Sequence, residues 1–376
     1  MKRSGLPFLL GLLIFWVVVP PVLVDMWYMG AAIRNLQWGF IDTSGQMVIE
    51  PQFDDVLSFH EDLAAVQVQG KQGYIDKTGR MVIAPQFDRT FGFHDGLALV
   101  RQGKYGLIDR SGHLVVNLSA NLPIQMLYDF NQGLAPFQSG GKWGYLDTQG
   151  QVVVPPQFDY AGPFSEGLAP VGVGAKRGYI DKTGKMVIEP RFSRNWGFSQ
   201  GLAPVELDRQ WGYIDKTGKI VIPLQFYEAG QFVGGLAIVK PAMNGKEGYL
   251  DRTGKMVIPP RFAWARAFSQ GLAAVTEDRG SAGAYIDKTG TVAIKGPFVI
   301  AGNFSQGLAE VMVKGKYGYI DKTGKIVIPP QFDAAKPFSE GLAAVGFKIP
   351  PPPKPAKPAH QSLDSLRSPS SRAISG

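Results

Sequence analysis

Short runs in which apolar residues alternate with polar ones recur between residues 38 and 347, and turn-forming residues bound each run. In one such unit, residues 177–181 predict a strand, 181–184 a turn and 185–188 a returning strand. Pro190 stops this ladder, and a loop over 191–201 leads to the next strand. No sustained 3.6-residue apolar period occurs outside the N-terminal segment, so the pattern predicts an all-β chain.

Three markers repeat along this region at intervals of about 34 residues. The first is an Asp-x-x-Gly tetrad, the second is Phe-x-x-x-Leu-Ala, and the third is a phenylalanine after Pro-Gln or a similar pair. An aspartate at the first position of a turn can accept backbone N–H groups, and a glycine at the fourth tolerates positive φ. We therefore predict a structural turn role for Asp42, Asp76, Asp109, Asp147, Asp181, Asp215, Asp251, Asp287 and Asp321.

The unit over residues 211–239 begins Trp-Gly-Tyr-Ile-Asp-x-x-Gly-Lys and continues to a Phe-x-x-x-Leu-Ala motif. This signature resembles the WG repeat family, also called KWG, over about 310 of the 376 residues. Some copies depart from it: Gln72, Arg177, Glu247 and Gly283 stand at the tryptophan position, and the third unit lengthens through 117–131. The resemblance implies a bacterial tandem β-repeat without an agreed catalytic activity, and hence no cofactor.

The nine units predict one array of three-stranded β-meander repeats over residues 38–347, following one N-terminal hydrophobic helix. Two architectures remain open, a propeller-like ring and an open β-solenoid. The first hairpin and the lone last strand at 342–345 could complete one another, which favours the ring. Residues 1–37 form a separate N-terminal segment, and the Pro/Ser-rich residues 348–376 predict a disordered tail.

Lys2 and Arg3 precede residues 6–24, which carry no charge. A helix of this length spans about 28 Å, close to the thickness of a bilayer core. The basic residues stay on the cytoplasmic side, so the rest of the chain faces outward. An uncleaved membrane anchor and a cleaved signal peptide, with a small-residue site at 30–32, are both compatible with this segment. The array is therefore expected to be membrane-anchored facing outward, or secreted or periplasmic.

Composition excludes several kinds of chemistry. The chain has no cysteine, which rules out disulfides, thiolate nucleophiles and cysteine-ligated zinc. Its net charge is +8, but residues 38–347 carry 31 basic and 29 acidic residues, a balance of +2. Because the excess charge lies at the two ends of the chain, we expect no nucleic-acid binding by the array.

Two segments look like catalytic motifs. Residues 42–45 match the aspartic-protease tetrad, and 287–291 match the phosphorylation motif of ion-pumping ATPases. Both are copies of the recurring turn, so we predict no catalytic residue and no enzymatic activity. His60 and His94 share one repeat position, but zinc sites usually need three or four ligands, so we predict surface histidines and no metal.

Aromatic residues are the candidates for partner contact. Trp143 and Trp211 stand at a repeat position that tolerates Arg, Gln and Glu in other copies, which predicts partial exposure. Trp196 and Trp264 lie outside that position, in the variable loops, and are the better candidates because specificity should lie where units differ. The lengthened loop 117–131 and the replacement at 295–297 also differ from the other units, and they are candidates for the same reason.

These observations predict a non-enzymatic, exported binding or scaffold module that mediates protein–protein interaction at the cell envelope. The alternative is a carbohydrate-binding envelope protein that uses the loop aromatics. The partner is accordingly an unknown protein or an envelope polysaccharide, and the membrane is contacted through residues 6–24.

Overall fold

The computed structural model describes residues 36–118 and 122–349 of the chain. These residues form nine four-stranded antiparallel sheets, here called blades 1 to 9. Strands are numbered in chain order. Blades 1 to 8 each contain four consecutive strands from β3 onwards, and blade 9 contains β35, β36, β1 and β2.

The strands of the first four blades lie close to 34 residues apart in successive units. Their bounds are β3 Asp55–Val56, β4 Leu63–Val68, β5 Lys71–Asp76, β6 Met81–Phe87, β7 Arg89–His94, β8 Leu97–Gln102, β9 Lys104–Asp109, β10 Leu114–Val116, β11 Met126–Leu127, β12 Leu134–Ser139, β13 Lys142–Asp147, β14 Val152–Phe158, β15 Tyr160–Ala161, β16 Leu168–Val173, β17 Lys176–Asp181 and β18 Met186–Phe192.

Blades 5 to 8 continue this order. Their bounds are β19 Arg194–Asn195, β20 Ala203–Leu207, β21 Gln210–Ile214, β22 Ile220–Phe226, β23 Glu228–Ala229, β24 Leu236–Lys240, β25 Glu247–Asp251, β26 Met256–Phe262, β27 Trp264–Ala265, β28 Ala273–Thr276, β29 Gly283–Ile286, β30 Val292–Phe298, β31 Ile300–Ala301, β32 Leu308–Val313, β33 Lys316–Asp321 and β34 Ile326–Phe332. Blade 9 consists of β35 Ala334–Ala335, β36 Leu342–Lys348, β1 Leu36–Asp42 and β2 Met47–Phe53.

Each blade has four strands, so the predicted three-stranded repeat is wrong in its count. The additional strand lies inside the predicted loop. In blade 5 it is β19, where Arg194 pairs with Glu206 and Asn195 with Val205. In most blades this strand is only two residues long, which is too short to show an alternating hydrophobic pattern.

The array closes into a ring, which makes the molecule a nine-bladed β-propeller. Strand β1 pairs with β36 along its whole length, from Leu36 opposite Lys348 to Asp42 opposite Leu342. The first hairpin and the last strand therefore complete one blade, as the sequence suggested, and the open solenoid is excluded. The predicted N-terminal helix at 6–24 lies outside the described residues, and no helix that could span a membrane occurs within 36–118 and 122–349.

The hydrophobic core is divided into clusters that lie mainly between neighbouring blades. In one cluster, Tyr179 and Phe192 of blade 4 pack with Phe198, Val205 and Ile214 of blade 5. The phenylalanines of the two repeat markers are all buried except the half-buried Phe130. Each blade buries its faces on its neighbours, which explains why the same residue types return in every repeat.

The nine aspartates lie at the first position of tight turns between the third and fourth strands. In blade 4, Asp181 Oδ1 accepts hydrogen bonds from the Thr183 amide (2.9 Å), the Thr183 hydroxyl (2.6 Å) and the Lys185 amide (3.1 Å). Gly184, at the fourth position, has φ 86°, which a residue with a side chain rarely adopts. The hydroxyl and amide hydrogen bonds lower the pKa of Asp181.

The structure shows the form of the two remaining divergent segments. The third unit has a three-residue outer strand, β10, and its lengthened segment 117–131 buries Leu118 and Leu127 instead of forming an exposed loop throughout. Residues 119–121 lie outside the described residues. The replacement at 295–297 lies within β30, the outer strand of blade 7.

Candidate functional site

The ring has two faces with different connections. One face carries the nine Asp-x-x-Gly turns, and we call it the aspartate face. The opposite face carries the connections between the second and third strands of each blade, and we call it the loop face. Leu36 begins β1 and Lys348 ends β36 on the loop face, where the two residues are paired.

The first strand of each blade lies at the centre of the ring. These inner segments contact their equivalents in the next blade: Lys336 donates a hydrogen bond to the Val56 carbonyl, and the Gln231 side chain donates one to the Gly197 carbonyl at 2.9 Å. The chain differs most among blades at these positions. The segments that the sequence presented as variable loops are therefore the inner wall of the propeller.

Trp264 is an exposed aromatic residue on this inner wall. It is the first residue of β27, and 41% of its surface is accessible. It pairs with Thr276, next to the connection 277–282, which places it on the loop face. The Arg266 guanidinium lies 4.7 Å from the centre of the Trp264 ring and orients it by a cation–π contact.

Exposed apolar side chains occupy the same face in three successive blades. Tyr227 precedes β23 and Val299 precedes β31, and their amides donate to the carbonyls of Lys240 and Met312 at 2.8 Å each. The accessible fraction is 36% for Tyr227 and 66% for Val299. We call Tyr227, Met243, Trp264 and Val299 the Trp264 surface. Clusters of exposed apolar residues on a soluble domain mark interaction sites.

Two long connections border the Trp264 surface. Residues 241–246 and 277–282 link the second and third strands of blades 6 and 7, where most other blades have a two-residue turn. Met243 is 64% accessible in the first of them. Lys246 Nζ contacts Asp278 Oδ1 at 2.8 Å and the Glu277 carbonyl at 2.9 Å, which ties the two connections together. Long loops on a rigid β scaffold are common carriers of recognition.

Trp196 lies in a different environment from Trp264, although the sequence grouped the two. It is half-buried and packs against the cluster that contains Trp211 and Tyr213. Its carbonyl accepts a hydrogen bond from the Tyr179 hydroxyl of the preceding blade at 2.7 Å. Trp196 therefore contributes mainly to packing between blades.

Trp143 and Trp211 are buried, with accessible fractions of 9% and 7%, so the predicted partial exposure of these two residues is wrong. Tyr128 covers Trp143 with its ring centre 5.4 Å away and nearly parallel. The burial removes both tryptophans from the surface that a partner could reach.

The polar copies at the same repeat position have another explanation. Gln72 accepts a hydrogen bond from the Thr90 amide, and Glu247 accepts one from the Ala265 amide, both at 2.6 Å. Each donor lies in the inner strand of the next blade. Gln72 and Glu247 are tolerated at this position because each accepts a hydrogen bond from a backbone N–H group of the next blade.

Glu247 lies beside Trp264 through this hydrogen bond, since Ala265 follows Trp264 in β27. The pKa of Glu247 is raised to about 7, mainly by burial and to a smaller extent by the Glu228 carboxylate, while the Ala265 amide and Lys240 oppose the increase. The carboxyl group that fixes the inner strand of blade 7 is therefore partly protonated near neutral pH.

Sequence reasoning missed Tyr227, Met243 and Val299. A signal was present for two of them: Tyr227 and Val299 directly follow the marker phenylalanines, where several other copies have aspartate or serine. An apolar residue at a position that is polar in most aligned repeats indicates an exposed apolar side chain. The three residues belong to successive blades, with Trp264 in the middle one, and this arrangement appears only once the order of blades around the ring is known.

His60 and His94 come together, with ring centres 5.6 Å apart, and His94 Nε2 lies 3.7 Å from Asp129 Oδ2. Burial raises the pKa of Asp129, while both histidines oppose the increase. Within residues 36–118 and 122–349, no group of three or more His, Asp or Glu side chains is arranged to hold a metal ion.

Comparison with known protein families agrees with this architecture. The family described as WG containing repeat matches nine segments of the chain, namely residues 38–71, 73–104, 125–143, 143–176, 178–209, 211–246, 248–279, 284–317 and 317–346. These segments cover most of the propeller, so the chain belongs to the WG repeat family. A repeat β-propeller of this class indicates a protein-interaction module.

Solved structures support the fold. A crystal structure of a eukaryotic initiation factor is similar with a TM-score of 0.52 and 12% identity, covering 79% of this chain and 95% of that chain. Hsv2 of Kluyveromyces lactis (TM-score 0.39, 7% identity, 62% and 92% covered) and virginiamycin B lyase of Staphylococcus aureus (TM-score 0.34, 11% identity, 84% and 100% covered) are less similar. The chain matches no curated protein.

Proposed function

We propose that this chain is a non-enzymatic, exported interaction module that binds a protein partner at the cell envelope through the Trp264 surface. The observation that carries the proposal is the exposure of Trp264 on the loop face, on which the two neighbouring blades present the exposed Tyr227 and Val299. Export is supported by the uncharged residues 6–24 that follow Lys2 and Arg3.

A protein partner fits this surface better than a sugar does. Sugar rings commonly stack on a series of exposed aromatic faces, but the seven repeated tyrosines, Tyr74, Tyr145, Tyr179, Tyr213, Tyr249, Tyr285 and Tyr319, are at most 1% accessible. The Trp264 surface combines two aromatic residues, Trp264 and Tyr227, with the aliphatic Val299 and the unbranched side chain of Met243. Such a mixture around a central aromatic residue is typical of protein interfaces.

Affinity capture from detergent-solubilised cell envelopes tests the proposal. The baits are the wild type, Trp264→Ala, and Val187→Ala as a matched control. Val187 is an exposed apolar residue, 42% accessible, on the outer strand β18. A central interface tryptophan contributes about 2 kcal/mol or more, so Trp264→Ala should weaken retention of the captured protein by about 30-fold. Equal retention by all three baits would contradict the proposal.

The carbohydrate alternative retains one observation in its favour, because Tyr128 and Trp264 are both exposed aromatic residues on the inner wall. Binding to purified envelope polysaccharide separates the two functions. The protein-binding proposal predicts no saturable binding to the polysaccharide. Saturable binding that Tyr128→Ala or Trp264→Ala abolishes would establish the alternative instead.

Protease added outside spheroplasts tests export. If the chain faces outward, the protease digests the propeller while a cytoplasmic marker protein stays intact. A propeller that is protected until the spheroplasts are lysed would refute export, without bearing on the binding surface.

A further inference from the structure

Both ends of the propeller leave the ring on the face that carries the Trp264 surface. Strand β1 runs from Leu36 on the loop face to Asp42 on the aspartate face, and β36 runs back to Lys348. Blade 9, which holds both ends, is next to blade 8, which carries Val299. The predicted anchor is therefore joined to the loop face, one blade away from the edge of the Trp264 surface.

The connection between anchor and ring is short. Residues 25–35 are the eleven residues between the uncharged segment 6–24 and Leu36. Even fully extended, eleven residues span only about 36–40 Å. A seven-residue strand such as β1 is about 23 Å long. If the aspartate face were turned toward the bilayer, the connection would have to run past the side of the ring, and this would take up most of its roughly 36–40 Å. The attachment favours an arrangement in which the loop face is nearer the membrane.

The charges around the Trp264 surface decide between lipid and protein as its partner. Glu228, Glu277, Asp278 and Arg279 are exposed beside it. Basic groups lie there as well, since Lys246 pairs with Asp278, Lys240 lies over the Tyr227 ring and Arg266 over the Trp264 ring. Anionic lipid headgroups attract clusters of basic residues and repel carboxylates. A protein surface can complement both signs at once, which suits this mixed border.

From this geometry we infer that the Trp264 surface faces the membrane to which the chain is anchored, and that its partner is a protein embedded in that same membrane. The inference rests on the proposed function, because it uses both the outward-facing anchor and the binding role of Trp264. Beyond the proposed function, the inference states which way the Trp264 surface faces and which class of protein it binds. The partner presents an extramembrane segment in the space between the ring and the bilayer.

Energy transfer to the bilayer tests the orientation. The chain has no cysteine, so single cysteines can be introduced for labelling. Asn244→Cys, in the connection 241–246, reports on the loop face, and Lys255→Cys, beside the turn of the same blade, reports on the aspartate face. The full-length protein is reconstituted in phosphatidylcholine–phosphatidylglycerol vesicles that contain an acceptor-labelled lipid. We expect higher transfer efficiency from position 244 than from 255. Equal or reversed efficiencies, or no association with vesicles, would overturn the inference.

Site-directed cross-linking tests the partner class. A benzophenone–maleimide is attached at the same two cysteines in native membranes and activated by light. We expect position 244, and not position 255, to form a product with a protein that resists carbonate extraction. Products with a soluble protein or with lipid alone, or no product, would overturn the inference. If affinity capture still depends on Trp264 in that case, the proposed function stands; if capture is also independent of Trp264, both fail.

Discussion

The side chain of Asp181 accepts hydrogen bonds from two backbone amides and one hydroxyl group within its own turn. Eight other aspartates occupy the same turn position in the other blades. Repetition of this kind ties a residue to the fold, since one active site has no use for nine copies. The residues that face solvent at non-repeated positions, such as Trp264, remain free for recognition. At the scale of the residue, the molecule separates structural from binding side chains in this way.

Replacing Asp181 with Ala should lower the free energy of unfolding by about 1 kcal/mol, because the local hydrogen bonds of the turn are lost. Hydrogen bonds lower the pKa of this carboxyl group, so its contribution is present above pH 4 and is lost as the pH falls through the pKa of the folded state. Urea denaturation at pH 7 measures the loss. Unchanged stability together with lost partner binding would show that Asp181 is a binding residue.

Glu247 gives the opposite dependence on pH. Its pKa is raised to about 7 in the folded protein, so folding favours the protonated form. The contribution of protonated Glu247 to the free energy of unfolding is present at pH 5 and is lost as the pH rises through 7. The free energy of unfolding therefore decreases by an amount on the order of 2–3 kcal/mol over this range. Glu247→Gln should therefore reduce the difference in unfolding free energy between pH 5 and pH 8. The exposed Glu277→Gln is the control, and an equal effect of both variants would refute this role.

The two tryptophans of the inner wall should respond differently to truncation. Trp196 packs between blades, so Trp196→Ala should cost about 2 kcal/mol of stability, part of the cost of truncating a fully buried aromatic residue. Trp264→Ala should cost less than half as much, because its ring is 41% accessible. Thermal melts of the two variants measure the difference. Equal decreases in the melting temperature would show that Trp264 is also a packing residue.

At the scale of the element, each blade is joined to the next by contacts that the repeat carries with it. The hydroxyls of the seven repeated tyrosines donate to a backbone carbonyl 17 residues later, in the inner segment of the following blade. A side chain from the third strand of one blade thereby fixes the first strand of the next. These contacts couple neighbouring sheets without a covalent link.

Removal of one such hydroxyl tests the coupling. Tyr179→Phe leaves the half-buried Trp196 carbonyl without its 2.7 Å donor and should cost about 1 kcal/mol. Tyr227→Phe, which alters an exposed ring, should have almost no effect. Denaturant titrations of both variants provide the measurement. A Tyr179→Phe protein as stable as the Tyr227→Phe protein would mean that the hydroxyl does not join the blades.

Most elements could be predicted from the sequence, and the exceptions have physical causes. The third and fourth strands are four or more residues long in nearly every blade, and their alternation is visible before folding. The first strand is usually two residues long and gains its partner only through β pairing, as Arg194 and Asn195 do. The burial of Trp143 was missed because it depends on Tyr128, a residue of another strand that stacks on it.

At the scale of the whole molecule, closure of the ring determines which features share a face. The sequence could indicate nine units and suggest that the ends meet, but the register of β1 with β36 appears only in the structure. The position of Trp264 between Tyr227 and Val299 also depends on the order of blades around the ring. Neither relation has a signature within a single repeat, so the candidate site was only partly predictable.

Hydrogen exchange of strand β1 in the native, full-length protein tests the closed ring, on which the arrangement of both faces depends. Seven residue pairs join Leu36–Asp42 to Leu342–Lys348 in the ring. We predict that peptides covering β1 are as strongly protected as those covering Lys71–Asp76 of β5, the equivalent strand of blade 1. Exchange of the β1 amides at the rate of an unstructured chain, with β5 still protected, would contradict the closed propeller and the shared face derived from it.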